Sequence, residues 1–393
     1  MTKQKKLRIG KEAAGQINNL YHPSGEYDLE RFDAVEILDC INVENRRFLP
    51  VLLKEAFSVL KKDGLMLIEY SSKLEFSPDE LEKTFWWLFQ RKYEIVEHKF
   101  KQGKHLLTIK KTESTVKEND DISHWTFGMV TNGERRDFIK KSIDSIRALN
   151  IPSYEIIICG NYPFKIEKDI RYIPFSDRDD RGWITRKKNI IAENAKYNNV
   201  CIFHDRIVFD KNWYMGMKKY GNNFEVLSCP QILSTGERVG DWVYSGLYGS
   251  PGFAYTIKEL DYKDWDKGVY IGGQLIIIKK NVWSEVCLNE TLYWKEAEDI
   301  EYAQRLVEKG FIPRFNPYSI CHSLSWNFGK LPRREFTKSG KETLAWKLKN
   351  VPLRRFIRSS FFVMSQVPMM PNIIHNFYLQ ISKTNIYKFV INH

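Results

Sequence analysis

The stretch HWTFGMVTNGERRDFIKKSIDSIRALNIPSYEIIICGN, residues 124–161, decides the fold class. Trp125 to Val130 is an apolar run that breaks at Thr131-Asn132-Gly133, a turn signal. Phe138, Ile139, Ile143, Ile146 and Leu149 then recur at helical spacing. Tyr154 to Cys159 is a continuous apolar run ended by Gly160. Strand, helix and strand therefore follow one another, and the second strand carries no polar face. That pattern predicts parallel strands covered by helices on both sides.

Working outward, the alternation continues. IRYIPF (170–175) reads as a strand, RKKNIIAENAKYN (186–198) as a helix and VCIFHD (200–205) as the next strand. In open parallel sheets ligands bind beyond the carboxyl ends of the strands. Thr131-Asn132-Gly133, Gly160-Asn161 and His204-Asp205-Arg206 all fall at such ends. The last of these interrupts NNVCIFHDRIVFDKNWY (198–214), so an acid stands at a strand end between a histidine and an arginine. Residues 241–268, rich in aromatics and glycine, read as a flap over such a site or as an acceptor loop.

Before this unit the polar segment 111–123 reads as a linker. Residues 1–110 show strands at FDAVEIL (32–38), LMLIEY (65–70), YEIVEHKF (93–100) and HLLTIKK (105–111). Helices are predicted over 46–64, stopped by Gly64, and near 78–92. The segment FDAVEILDCIN…LLKEAFSVLKKDGLMLIEY resembles the C-terminal half of a class I methyltransferase. No preceding strand with a glycine-rich turn is predicted, so residues 1–110 are expected to form a partial α/β scaffold without cofactor.

The 393 residues carry 61 Lys and Arg against 49 Asp and Glu, a net charge of +12, which favours an anionic partner. There is no helix–turn–helix signature, RNP motif or zinc spacing, so nucleic acid is not expected. The six cysteines sit mostly in apolar runs, which fits reduced thiols and a cytoplasmic setting. The N-terminus has no apolar signal core, and no window is long and apolar enough to span a bilayer. Lys330 to Arg358 holds ten Lys and Arg against two Glu, followed by Phe-, Met- and Ile-rich sequence. This helical tail, residues 331–393, reads as an anchor for an anionic membrane surface, peripheral on its cytoplasmic face, or as a packing or dimer element. A homo-oligomer is left open.

Over roughly residues 124–325, within a domain expected to span 124–330, the pieces occur in the order of a known family. VTNGERRDFIKKSIDSI, YEIIICG, RKKNIIAENA, FHDR, YIGGQLIIIKKNVW and LNETLYWKEAEDIEYAQRLVEKG together resemble the GT-A glycosyltransferases, specifically the family 2-like inverting enzymes. The resemblance implies an α/β GT-A fold and transfer of a sugar from a nucleotide-diphosphate sugar to a hydroxyl of a glycan or lipid-linked acceptor. It suggests bacterial surface polysaccharide as the pathway. It places Asp299 as general base, with Glu298 orienting the acceptor and Glu296 and Trp294 contacting it. Thr131, Asn132, Gly160, Lys188, Asn189, His204, Asp205, Arg206 and Gly273 would line the donor site.

Several local readings compete with these. Glu296, Glu298 and Asp299 also suit a helix N-terminus. Trp294 suits a core. Arg206 holds the last place of the family's acidic motif, and a guanidinium cannot ligate a metal. Either Asp205, with His322, holds Mn²⁺ or Mg²⁺, or Arg206 contacts the diphosphate itself. A catalytically degenerate glycan- or nucleotide-binding module is the competing function.

Overall fold

The computed structural model describes residues 5–10, 29–38, 41, 46–71, 78–115, 120–177, 182–245, 257–326 and 331, which belong to one compact unit. The helical tail expected over residues 331–393 therefore lies outside the described residues, apart from Leu331. The architecture is mixed α/β, and among the described residues no helix is long and apolar enough to cross a membrane.

The N-terminal region forms a five-stranded sheet of order β1-β2-β3-β5-β4. Its strands are β1 (Lys6–Ile9), β2 (Phe32–Leu38), β3 (Leu60–Ser71), β4 (Tyr93–Lys101) and β5 (Lys104–Lys111). The first three are parallel, and β5 and β4 are antiparallel additions. Two sequence expectations are overturned. A strand does precede FDAVEIL, because β1 pairs Lys6 with Ala34 and Ile9 with Ile37. The helix expected to reach Gly64 ends at Val59. Leu60 already pairs with Phe32 and Leu65 with Ala34, so Lys61 to Gly64 bulge out of the ladder, with Asp63 at φ 63°. The sheet captures Leu60, and pairing overrides the local helical pattern.

Helix α1 (Leu49–Val59) is buried along its entire length, Lys54 and Glu55 included. It packs on α2 (Pro78–Phe89) through stacked Phe57 and Phe89 rings 4.0 Å apart. Its charges point the other way, into the second region. Glu55 pairs with Arg314, both almost fully buried, and Lys54 Nζ reaches Glu225 at 2.9 Å. The linker is pinned too: Asp120 accepts from Lys279 Nζ at 2.6 Å.

The second region is built on a seven-stranded sheet. Its parallel half comprises β6 (His124–Thr131), β7 (Ser153–Gly160), β8 (Ile170–Pro174) and β9 (Asn199–His204). Helix α3 (Arg136–Arg147) and, further on, α5 (Trp213–Tyr220) cover one face over Trp125, Phe127 and Met129. Helix α4 (Ile184–Asn194), with α6 (Lys280–Glu285) and α7 (Glu298–Glu308), covers the other over Ile157, Cys159 and Ile202. After β9 come β10 (Ile207–Phe209), β11 (Val226–Ser228) and β12 (Gln231–Ile232). Strands β13 (Val243–Ser245) and β14 (Ile257–Glu259), in the expected flap, make a small antiparallel sheet with β15 (Val269–Tyr270) just after it; residues 246–256 lie outside the described residues. Strand β16 (Leu275–Lys279) runs antiparallel to β9, and β17 (Pro313–Phe315) and β18 (Cys321–Ser323) follow.

The full order is β17-β11-β16-β9-β6-β7-β8. From β6 the chain winds outward to β7 and β8, then crosses back to β9 on the other side of β6. The direction of winding thus reverses between β6 and β9, and a crevice opens at their carboxyl ends.

Candidate active site

Two clusters of polar side chains meet at this reversal. The first joins the ends of β6 and β9. Thr131 Oγ1 donates to Asp205 Oδ2 at 2.8 Å and accepts from Gly133 N at 3.0 Å. Arg135, at the start of α3, approaches Asp205 Oδ1 at 3.4 Å. Asp205 is buried, and desolvation pushes its carboxyl above the usual range against the pull of Thr131, Arg135 and Arg206. Arg206 is only 8% exposed. It donates to Gln274 Oε1 at 2.9 Å, and Gln274 Nε2 donates on to Val239 O at 2.9 Å. Arg206 Nε and His204 Nε2 are buried without a hydrogen-bond partner. Burial and the nearby Lys188, Arg206, Arg135 and Lys187 hold His204 neutral, with its pKa well below the ordinary imidazole value.

Gly160 explains how β6 and β7 close in at this end. Its φ is 132°, and a Cβ there would lie 1.8 Å from Thr131 O. A side chain would split the two strand ends. Asn132 is exposed and uses its side chain locally, accepting from Glu134 N at 3.3 Å.

The second cluster gathers on α7. The turn before this helix holds two non-glycine residues at positive φ, Lys295 at 71° and Ala297 at 58°. Each costs about 1 kcal/mol or more, and the turn delivers Glu298 and Asp299 to the helix start. Asp299 Oδ2 accepts from Gly273 N at 2.8 Å, and Oδ1 from Ile300 N at 2.9 Å. Two main-chain donors therefore fix that carboxylate. A Cβ on Gly273 would sit 3.3 Å from Asp299 Cβ and 3.1 Å from Lys188 Nζ, so glycine lets the backbone reach both. Lys188 is fully buried and donates to Gly273 O at 2.8 Å. Burial lowers its pKa, and Glu298 and Asp299 oppose that shift. Glu298 is buried beside Asp299, and burial first, then that neighbouring charge, pushes its carboxyl up to about 7.

Gln274 and Gly273 link the clusters, since Gln274 O also accepts from His204 N at 3.0 Å. Sequence reading missed Gln274 and Arg135. The chemical signal for both was weak, a lone amide in an apolar strand and one of two adjacent arginines.

Other residues expected at the site lie elsewhere. Asn189 is a packing residue. Its side-chain nitrogen donates to Leu288 O and Glu290 Oε1, and its oxygen accepts from Trp283 Nε1 and Leu288 N. The amide's hydrogen-bonding capacity is thus filled within the protein. Lys187 pairs with Asp177 at 2.7 Å. Trp294 is 48% exposed, so the core reading of it fails. Glu296 is exposed and accepts from Tyr293 N at 2.9 Å, holding the strained turn.

The proposed metal pair does not fit. His322 Nε2 faces Asp210 at 3.6 Å, whereas Asp205 is engaged by Thr131 and Arg135. Among the described residues no group of three or more His, Cys, Asp and Glu comes together as a cation would require. The guanidinium groups of Arg135 and Arg206 flank Asp205, which opposes a further positive charge there.

No protein-family model matches the chain, and no curated protein does. Partial likenesses exist among solved structures. One is S. aureus TarS 1–349, at 11% identity over 50% of this chain and 60% of that one, TM-score 0.34. Another is GalNAc-T7 with UDP, GalNAc and Mn²⁺, at 12% identity over 56% and 49%, TM-score 0.37. S. aureus TarS matches at 12% identity over 51% and 37%, TM-score 0.33. This chain thus spans 60% or less of each of these proteins. At such TM-scores the likenesses carry no argument about activity.

Proposed function

We propose that the chain is a GT-A glycosyltransferase that moves a sugar from a nucleotide-diphosphate sugar to an acceptor hydroxyl with inversion. One observation carries the reading. A carboxylate fixed by two main-chain N–H groups, Asp299, lies across Gly273 and Gln274 from the cations at the β6/β9 reversal. Inverting transfer needs such a separation of base from leaving group. Asp299 takes the proton of the acceptor hydroxyl as its oxygen bonds to the anomeric carbon. The bond from that carbon to the diphosphate oxygen breaks, and the diphosphate leaves with the electron pair. Arg135 and Arg206 lie on the leaving-group side and offset the charge that develops. Glu298, partly protonated near neutrality, can donate a hydrogen bond to a second acceptor hydroxyl. Trp294 offers an exposed ring to an acceptor sugar.

The test is a panel of nucleotide sugars scored for donor hydrolysis and for transfer to glycan acceptors. Turnover in the wild type that vanishes in Asp299→Asn supports the reading. Donor binding without turnover in either protein would leave a binding module instead. A lipid-linked acceptor in surface polysaccharide assembly suits the basic composition of residues 331–393. Flotation on anionic vesicles tests that extension, and equal recovery with neutral vesicles would sink it.

A further inference from the structure

The misfit of a metal at Asp205 points to another way of holding the donor. We infer that Arg206, supported by Arg135, binds the diphosphate of the donor directly, in place of a divalent cation. The inference rests on the transferase reading for the identity of the ligand, but its chemistry is that of any diphosphate.

Hydrogen-bonding capacity at this strand end is unsatisfied. Arg206 is more than nine-tenths buried, yet its Nε has no partner and one of its terminal nitrogens bonds only the neutral amide of Gln274. A buried cation facing a neutral partner costs free energy unless an anion completes it. The neighbouring carboxylate, Asp205, is already held by Thr131 and Arg135. His204 Nε2 is a second buried orphan at the same strand end. Its ring stands in the field of Lys187, Lys188, Arg135 and Arg206. An anion with several acceptor oxygens satisfies these groups together, and planar guanidinium forks match phosphate oxygens. Gln274 fixes the fork by bridging Arg206 to Val239 O, so it is a positioning residue.

The experiment is calorimetry and thermal shift on the full chain with UDP, GDP, dTDP, ADP and inorganic pyrophosphate, each in EDTA and in Mn²⁺. At least one diphosphate should bind in EDTA with an affinity within about threefold of that in Mn²⁺, because charge-assisted hydrogen bonds need no metal. Arg206→Ala should weaken it by about tenfold or more, and Arg206→Lys by less. Arg135 is 41% exposed at its side chain, so Arg135→Ala should fold and still weaken binding severalfold in EDTA. Binding seen only with Mn²⁺ would overturn the inference and leave the transferase reading standing. Wild-type affinity in folded Arg206→Lys and Arg135→Ala would overturn it as well. Pyrophosphate bound in EDTA while every nucleotide is silent would keep the inference and count against the transferase. Silence of all five ligands in both conditions would remove both.

Discussion

The five-stranded and the seven-stranded sheet each have buried cations beside them, and they treat them differently. In the N-terminal sheet Lys111 is completely buried. Its ammonium meets Phe57 O, Leu60 O, Thr115 Oγ1 and the carboxylate of Glu30, all within 3.1 Å. Every donor has an acceptor. In the central sheet Arg206 has a neutral amide and an idle Nε, Glu298 carries a carboxyl displaced to about 7, and the turn before it is strained. Saturated charge fastens a fold; incomplete charge at a strand end leaves room for a ligand. The first region therefore reads as scaffold and the second as the working part.

The largest expected effect tests the second half of that contrast. Asp299→Asn is nearly isosteric but removes the base, and its single amide oxygen keeps only one of the two N–H contacts. Transfer should fall about 10²–10⁴-fold, with the melting temperature lowered by a few degrees at most. Steady-state rates with a turned-over donor check it, and a variant keeping more than half its activity would unseat Asp299.

Next comes the joint between the regions. Glu55→Ala leaves Arg314 buried and unpaired, and burial already holds that guanidinium down to about 9. Breaking a buried pair costs about 3–5 kcal/mol. Denaturant unfolding should show that loss, while the folded fraction keeps its turnover per molecule. If activity per folded molecule collapses instead, the N-terminal sheet belongs to the working part and the contrast fails.

Glu298 gives a smaller, pH-dependent signal. Its folded pKa is raised from 4.5 to about 7. The native state thus holds a proton that the unfolded chain releases, so its contribution is full below pH ~4.5 and lost as pH rises through about 7. Glu298→Gln should match wild type near pH 4.5 and exceed it at pH 8, by about 3 kcal/mol at most. A gap that does not change with pH would mean that Glu298 titrates normally.

How much of this was legible beforehand follows the same division. The parallel half of the central sheet was readable because buried strands carry unbroken apolar runs and α3 repeats at helical spacing. Strand β1 was not, because Lys6–Ile9 has four residues and two of them are basic. The bulge at Lys61 to Gly64 hid inside a helix-like pattern that only cross-strand pairing overrides. In the candidate site, the strand ends that carry Thr131, Asp205 and Arg206 were readable from the apolar runs, whereas Glu298 and Asp299 were singled out by the order of the motifs, since an acidic run alone also suits a helix N-terminus. Asn189 was misplaced because its partners Leu288 and Glu290 lie about a hundred residues away, beyond what local sequence shows. His322 was misplaced likewise: β18 pairs it with Val208, beside Asp210 rather than Asp205.

The smallest effect compares one exposed indole in each region. Trp86 on α2 is 56% exposed and Trp294 before α7 is 48% exposed. Neither ring lies in a packed core, so alanine at either should change stability by less than about 0.5 kcal/mol. Their settings differ. Trp294 adjoins the strained turn that aims Asp299, and Lys295 Nζ stands 4.4 Å from its ring centre. An acceptor sugar stacking there would displace that ammonium, and stacking on an aromatic face contributes about 0.5–1.5 kcal/mol. Trp294→Ala should therefore raise the acceptor KM about two- to tenfold with little change in kcat, whereas Trp86→Ala should change neither. Initial-rate curves against acceptor concentration separate the cases. Equal KM values for the two variants would return Trp294 to the ordinary surface and leave Asp299 without a sugar platform beside it.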